Sequence, residues 1–206
     1  MRKLQFAAVI LALLLPVVGH ATVLGFGPDC NGCSTQPISP GYGGFNWDAN
    51  FYEVGNGYYM GNYNNSYGAP SGAGAFNAFG VAQVTMTSNT PFYFNGADFT
   101  AWSENDQYQS FSSRSITIFA YDAGNNLLGT FSSDLPSDSY AFVTAGVDNV
   151  SKLVFQNDCN CSGEWWVMDN LTYNENNGGV PEPASLFLLG SGLVGFGGVA
   201  RKRMKK

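Results

Sequence analysis

Ser115-Ile-Thr-Ile-Phe-Ala-Tyr121, then Asp122-Ala-Gly-Asn-Asn126, then Leu127-Leu-Gly-Thr-Phe131 is the stretch from which the fold is read. The first seven residues place Ile116, Ile118 and Ala120 on one side of an extended chain, the period-two pattern of a strand with one buried face. Five turn-forming residues follow and a second apolar run begins at once, which predicts a hairpin. The same grammar recurs on both sides. Val81-Ala-Gln-Val-Thr-Met-Thr87, Phe92-Tyr-Phe94 and Asp98-Phe-Thr-Ala-Trp102 precede the hairpin. Tyr140-Ala-Phe-Val-Thr144, Ser151-Lys-Leu-Val-Phe155 and Trp165-Trp-Val-Met-Asp-Asn-Leu171 follow it. Strands at roughly ten-residue spacing with Gly, Asn and Ser between them predict an all-β sandwich. From Gly55 to Gly74 there is little drive toward helix or strand, and a long loop or short irregular strands are expected.

The two ends differ from this middle. Met1-Arg2-Lys3, the apolar run Leu4 to Val18 and Gly19-His20-Ala21 have the layout of a secretory signal peptide, with signal peptidase expected to cut after Ala21. At the other end, Val180-Pro181-Glu182-Pro183 precedes an uncharged run from Ala184 to Ala200 and then Arg201-Lys202-Arg203-Met204-Lys205-Lys206. At about 1.5 Å rise per residue, helix 184–200 just crosses a hydrocarbon core. The basic end would stay in the cytoplasm and everything before it would lie outside. The expected organisation is therefore signal peptide 1–21, exported sandwich 22–173, linker 174–179 and C-terminal signal 180–206. Gly190-Ser-Gly192-Leu-Val-Gly195 spells a dinucleotide fingerprint, but it lies inside the membrane run with no βαβ unit around it. Those glycines fit close helix packing instead.

The tail, with its Pro-Glu-Pro signal, short Gly-rich span and basic end, resembles the PEP-CTERM sorting signal of exopolysaccharide-producing Gram-negative bacteria. This tail is also filed under an ice-binding label. Flat Thr-x-Thr ladders would support ice binding, and only Thr85-Met86-Thr87 occurs. The sorting resemblance implies inner-membrane anchoring, removal of the span by an exosortase-like enzyme, and delivery to the cell surface or exopolysaccharide matrix.

Composition excludes several functions for the middle. Cleavage after Ala21 removes His20, the only histidine, and with it Ser-His-Asp hydrolysis, Cys-His proteolysis and histidine-based zinc sites. Residues 22–180 hold fourteen acids against Arg114 and Lys152, a net charge near −12. Such a surface repels nucleic acid, attracts cations and keeps an exported domain soluble.

A second resemblance rests on Ile38-Ser-Pro-Gly-Tyr-Gly-Gly-Phe-Asn-Trp47, Gly57-Tyr-Tyr59, Phe76-Asn-Ala-Phe-Gly80 and the closing Met168-Asp169-Asn170-Leu171. These are similar to motifs of secreted jelly-roll domains of the carbohydrate-binding-module or galactose-binding kind, in most of which no activity is assigned. The resemblance implies a jelly-roll-type β-sandwich over residues 37 to 173. It departs from the pattern at Phe45, where Leu is usual, and in its cysteines. Such jelly rolls often hold a structural calcium between an acid near the start and one on the last strand, which here implies Asp48 or Glu53 with Asp169.

Cys30-x-x-Cys33 and Cys159-x-Cys161 read as disulfides in an exported chain, with three pairings open. Cross-pairing would staple the N-terminal arm to the closing strand, pairing within each motif is the rival, and a tetrathiolate metal site has permissible spacing. For ligand binding the candidates are exposed-looking rings, Trp47, Tyr52 and Trp102 foremost, since flat rings stack on sugar faces. Trp165 and Trp166 read as structural. A glycosidase would need two facing carboxyls, and Asp48 with Glu53, Glu104 with Asp106, or Glu164 with Asp169 are the sequence candidates. The reading is an exported, non-enzymatic protein with a glycan-binding domain, against a purely structural surface protein or a glycoside-active enzyme.

Overall fold

The computed structural model of the protein describes residues 21–27, 33–63, 67–104 and 110–174. The chain is mostly β and sandwich-like. Ten strands hydrogen-bond into one strongly bent sheet: β1 Thr22–Leu24, β2 Thr35–Pro37, β3 Asn46–Trp47, β4 Phe51–Gly55, β5 Ala73–Asn77, β6 Gln83–Ala101, β7 Ser115–Tyr121, β8 Leu127–Asp134, β9 Ala141–Asn157 and β10 Trp166–Asn174. The order is β2-β4-β5-β10-β6-β9-β7-β8, with β1 on β10 and β3 on β6. All the ladders between these strands are antiparallel.

Two long strands turn this one sheet into two layers. β6 pairs with β9 at both ends, Gln83 opposite Gln156 and Phe99 opposite Ala141, with register shifts between Thr87 and Gly96. Three separate segments expected between Val81 and Trp102 are thus one strand. Pro91 lacks a donor and sits in the first register break, where none is needed. Gly96, at φ +147°, takes the bend where a Cβ would lie 2.2 Å from the Val143 carbonyl oxygen. β9 likewise unites two expected segments, with Gly146 and Asn149 at positive φ in its middle.

The bend folds the layers face to face, and large rings fill the space. Phe51 of β4 lies 5.6 Å from Phe155 of β9 and 5.8 Å from Trp166 of β10, and Phe99 lies 5.7 Å from Trp166. All four are sealed from solvent, and truncating one such ring costs about 3–5 kcal/mol. The Ser115–Phe131 hairpin forms as expected. Asp122 closes it by accepting from the Asn126 amide at 2.8 Å, with Asn125 at φ +64°.

The segment expected to be a loop contains a helix, α1, Asn56–Tyr63. Its Asn and Gly content disfavours helix, so tertiary contacts supply the stability. Tyr59 is 1% exposed and donates its hydroxyl to the Trp102 carbonyl. The Asn56 side chain both accepts from and donates to the Ala69 backbone, at 2.7 and 2.9 Å. α1 thereby covers part of the outer face of β4, β5 and β10, where Val54, Phe76, Trp102 and Val167 form a second apolar cluster.

Two sequence motifs tie down the chain ends of this domain. In the Gly41–Trp47 segment, glycines 41, 43 and 44 all have positive φ. Tyr42 donates its hydroxyl to Gly25, and Trp47 donates to the Tyr42 carbonyl at 2.9 Å. Asp169 is fully buried on β10 and accepts from the Ser71 amide at 2.6 Å, the Ser71 hydroxyl at 2.8 Å and the Asn170 amide at 2.7 Å. Ser71 in turn accepts from the amides of Phe26 and Gly27. No helix among the described residues is long and apolar enough to cross a membrane. The expected span 184–200 and the signal peptide, apart from Ala21, lie outside those residues.

Candidate functional site

On the outer face, beyond α1, the strands build an aromatic cleft. Cross-strand partners share a face, so Tyr52 of β4, Phe76 of β5 and Val167 of β10 stand together while Phe51 and Glu53 point into the core. Tyr52 and Phe76 lie 6.1 Å apart. Trp102, one residue past β6, sets its ring 5.1 Å from Phe76 and 4.7 Å from Tyr63 of α1. These rings are the floor.

One wall is Phe111 with Trp165, 6.0 Å apart. The Trp165 amide donates to the Phe111 carbonyl at 2.7 Å and the Ser113 amide to the Trp165 carbonyl at 2.9 Å, so the two segments run side by side. The other wall is Thr35 of β2 with Phe79, whose ring is 5.7 Å from Tyr52. The cleft is open to solvent and its volume is about 340 Å³, in the range of small-molecule sites. Phe79 and Phe111 are 70% and 47% exposed. Among the described residues, no charged side chain lines the cleft. Rings with the hydroxyls of Tyr52, Tyr63 and Thr35 suit a flat, neutral ligand with one apolar face.

The structure separates the three rings expected to bind. Tyr52 and Trp102 meet in the cleft, Tyr52 half-buried and Trp102 5% exposed as its floor. Trp47 is elsewhere, packed between Phe26, Phe45 and Phe51 at the rim of the main core. Trp47 is thus placed as a packing residue, not as a cleft ring. Trp165, expected to be structural, lines the cleft, whereas its neighbour Trp166 is sealed in the core. Phe79 falls in the Phe76–Gly80 motif but was not singled out as a binding ring, and Phe111 and Thr35 carried no signal in the sequence.

Each acid expected to share a calcium has a hydrogen-bonding role within the fold. Glu53 and Asp169 belong to opposite faces of the sheet, because Glu53 aligns through Ala75 with Met168, the neighbour of Asp169. Glu53 accepts from Gln36 at 2.6 Å, Asp48 caps its own turn by accepting from the Asn50 amide at 2.8 Å, and Asp169 holds Ser71. Burial pushes the Asp169 carboxyl up, its Ser71 hydrogen bonds opposing.

Cys159 and Cys161 are bonded to each other, so of the pairings left open by the sequence this bond lies within its own motif. Cys33 is itself disulfide-bonded, and Cys30 lies outside the described residues. Buried Asn157 holds the Cys159–Cys161 loop, donating to the Cys161 carbonyl at 2.8 Å and accepting from the Cys161 amide at 3.3 Å. The sulfurs also lie near Glu164, but a disulfide sulfur is not the thiolate that a metal needs. Glu164 shares a small cleft with Asp158, Arg114, Ser110 and Ser112. Burial and the adjoining Asp158 carboxyl push Glu164 up to about 7. Asp106, the expected partner of Glu104, is outside the described residues. So are Val180, Pro181, Glu182, Pro183, Arg201, Lys202 and Arg203.

Residues 179–203 match the PEP-CTERM protein-sorting motif. No curated protein matches the sequence as a relative. Among solved structures, the chain is similar to a DUF4465 family protein from Bacteroides caccae, at 13% identity and a TM-score of 0.48 over 79% of this chain and 96% of that one. It is also similar to a variant of the family 29 carbohydrate-binding module CBM29-2, at 15% identity and a TM-score of 0.41 over 77% and 94%. The CBM32-2 module of GH31 bound to GalNAc is a third, at 10% identity and a TM-score of 0.34 over 74% and 97%.

Proposed function

We propose that the described domain is a non-enzymatic glycan-binding module with a jelly-roll-type fold, and that the C-terminal signal delivers it to the cell surface or exopolysaccharide matrix. The observation that carries the binding half is the aromatic cleft. Rings from β4, β5, α1 and the segments after β5 and β6 converge there, and two of them, Phe79 and Phe111, are left exposed at its edge. A pyranose offers an apolar face to such rings and hydroxyls to the tyrosines and Thr35. The described lining residues are aromatic, small or hydroxyl-bearing, a set that suits stacking and hydrogen bonding to a sugar.

The delivery half rests on the matched sorting motif. In this reading signal peptidase cuts after Ala21, and β1 begins at the next residue. An exosortase-like enzyme then acts at Val180-Pro181-Glu182-Pro183 while Arg201, Lys202 and Arg203 hold the cytoplasmic side of the inner membrane.

Affinity electrophoresis of the full chain through neutral polysaccharides and the host exopolysaccharide tests the reading. Retardation is expected, reduced at least tenfold in affinity by Tyr52→Ala and Phe111→Ala and unchanged by Trp47→Ala, which instead lowers the melting temperature. Binding lost equally with Trp47→Ala, or no retardation in any polysaccharide, would overturn it.

A further inference from the structure

The turn Ala78–Gly80 holds an aromatic residue in a backbone conformation that aromatic residues avoid. Phe79 has φ 58° and ψ 12°, inside the left-handed region that Gly and Asn enter readily and bulky side chains do not. Such a residue is strained by on the order of 1–3 kcal/mol, and it persists only where its surroundings over-determine it. With its ring 70% exposed, Phe79 recovers little of that by burial.

The surroundings do over-determine the turn. Ahead of it, buried Asn77 donates to the carbonyls of Val81 at 2.8 Å and Glu164 at 2.7 Å and accepts from the Trp166 amide at 3.0 Å. The Ala78 amide donates to Asn50 at 2.9 Å. Behind it, the Gly80 carbonyl accepts from the Gly163 amide at 2.8 Å, and a Cβ on Gly80 would stand 3.0 Å from the backbone of Gly163 and Glu164. These contacts fix the backbone of residue 79. None of them calls for a phenyl ring, and Asn or Gly would meet the same backbone with less strain. The ring packs edge to face against Tyr52 at 5.7 Å, where the wall of the cleft meets its floor.

We propose that Phe79 is a binding platform retained against stability, its strained turn directing the ring against Tyr52 so that a sugar ring entering the cleft meets a pre-oriented aromatic surface. This rests on the glycan reading of the cleft. A side chain whose Cα–Cβ direction is already set loses less freedom on binding, so the strain held in the free protein is exchanged for affinity. The same fixity makes Phe79 a determinant of which sugar rings fit.

Phe79→Asn, Phe79→Gly and Phe79→Tyr in the full chain test this by thermal melting and by titration with neutral gluco-, manno-, xylo- and galacto-configured hexasaccharides. The Asn and Gly variants should melt about 2–4 °C higher than the parent and bind at least tenfold more weakly. The Tyr variant should melt and bind like the parent. Asn and Gly variants that melt no higher overturn the strain, whatever they bind. Variants that melt higher yet bind as the parent does, with Tyr52→Ala still defective, overturn the platform and leave the glycan reading standing. A parent that binds none of these sugars overturns both.

Discussion

Glu164 shows how far one side chain's chemistry depends on its neighbours. Partial burial and the facing Asp158 carboxyl hold its proton up to about pH 7, against 4.5 ordinarily, with Arg114 and the Cys159 backbone pulling the other way. Between those values the folded chain keeps a proton that the unfolded chain releases. This contribution to stability is therefore complete below about pH 4.5 and is lost as pH rises through 7. Burial of Asp169 works in the same direction. The parent should melt higher at pH 5 than at pH 8, and Glu164→Gln should narrow that gap by raising the value at pH 8. An unchanged gap would show that the two carboxyls do not interact. At this scale the site was half legible. Tyr52 and Trp102 were candidates because aromatic residues among polar ones suggest exposed rings, but the same pattern surrounds Trp47, whose ring is packed at the core rim. The role proposed for Phe79 was not legible even though its motif was, since it depends on a backbone angle set by Asn77, Gly80 and Gly163, the last of them far along the chain.

Elements built from local alternation were the legible ones. β7, the Asp122 turn and the start of β8 fall where the pattern puts them, because a strand with one wet face writes its period into adjacent residues. β6 and β9 did not, since Pro91, Gly96, Gly146 and Asn149 look like terminators in sequence. In the fold they serve as bends within continuous strands. Replacing Gly96 by Ala tests this. The new Cβ would meet the Val143 carbonyl oxygen at 2.2 Å, backbone that cannot rotate away. A loss of at least ~2 kcal/mol in urea denaturation is expected, and a neutral result would mean that the bend lies elsewhere. α1 was hidden for the opposite reason. Its Asn-Gly-Tyr sequence has poor helix propensity, and the contacts of Tyr59 with Trp102 and of Asn56 with Ala69 decide it, 43 and 13 residues away.

The whole molecule pairs an acidic domain with a C-terminal sorting motif. Residues 22–180 carry a net charge near −12 and the last six residues carry five positive charges, a split that suits the proposed topology, with the domain outside and the basic end at the cytoplasmic face. Replacing Pro181, Glu182 and Pro183 by Ala should leave full-length chain in the inner membrane fraction on immunoblots. Normal processing of that variant would remove the role given to the signal. The antiparallel pairing of β1 with β10, Thr22 opposite Tyr173, has a mechanical corollary. The strand that leads into the tail is flanked by β6 on one side and by β5 and β1 on the other. A pull transmitted through the tail along β10 therefore loads several ladders in parallel as shear, and their hydrogen bonds must fail together instead of unzipping one by one. A surface protein tugged by a moving polymer would hold its shape until the force ruptured that central strand.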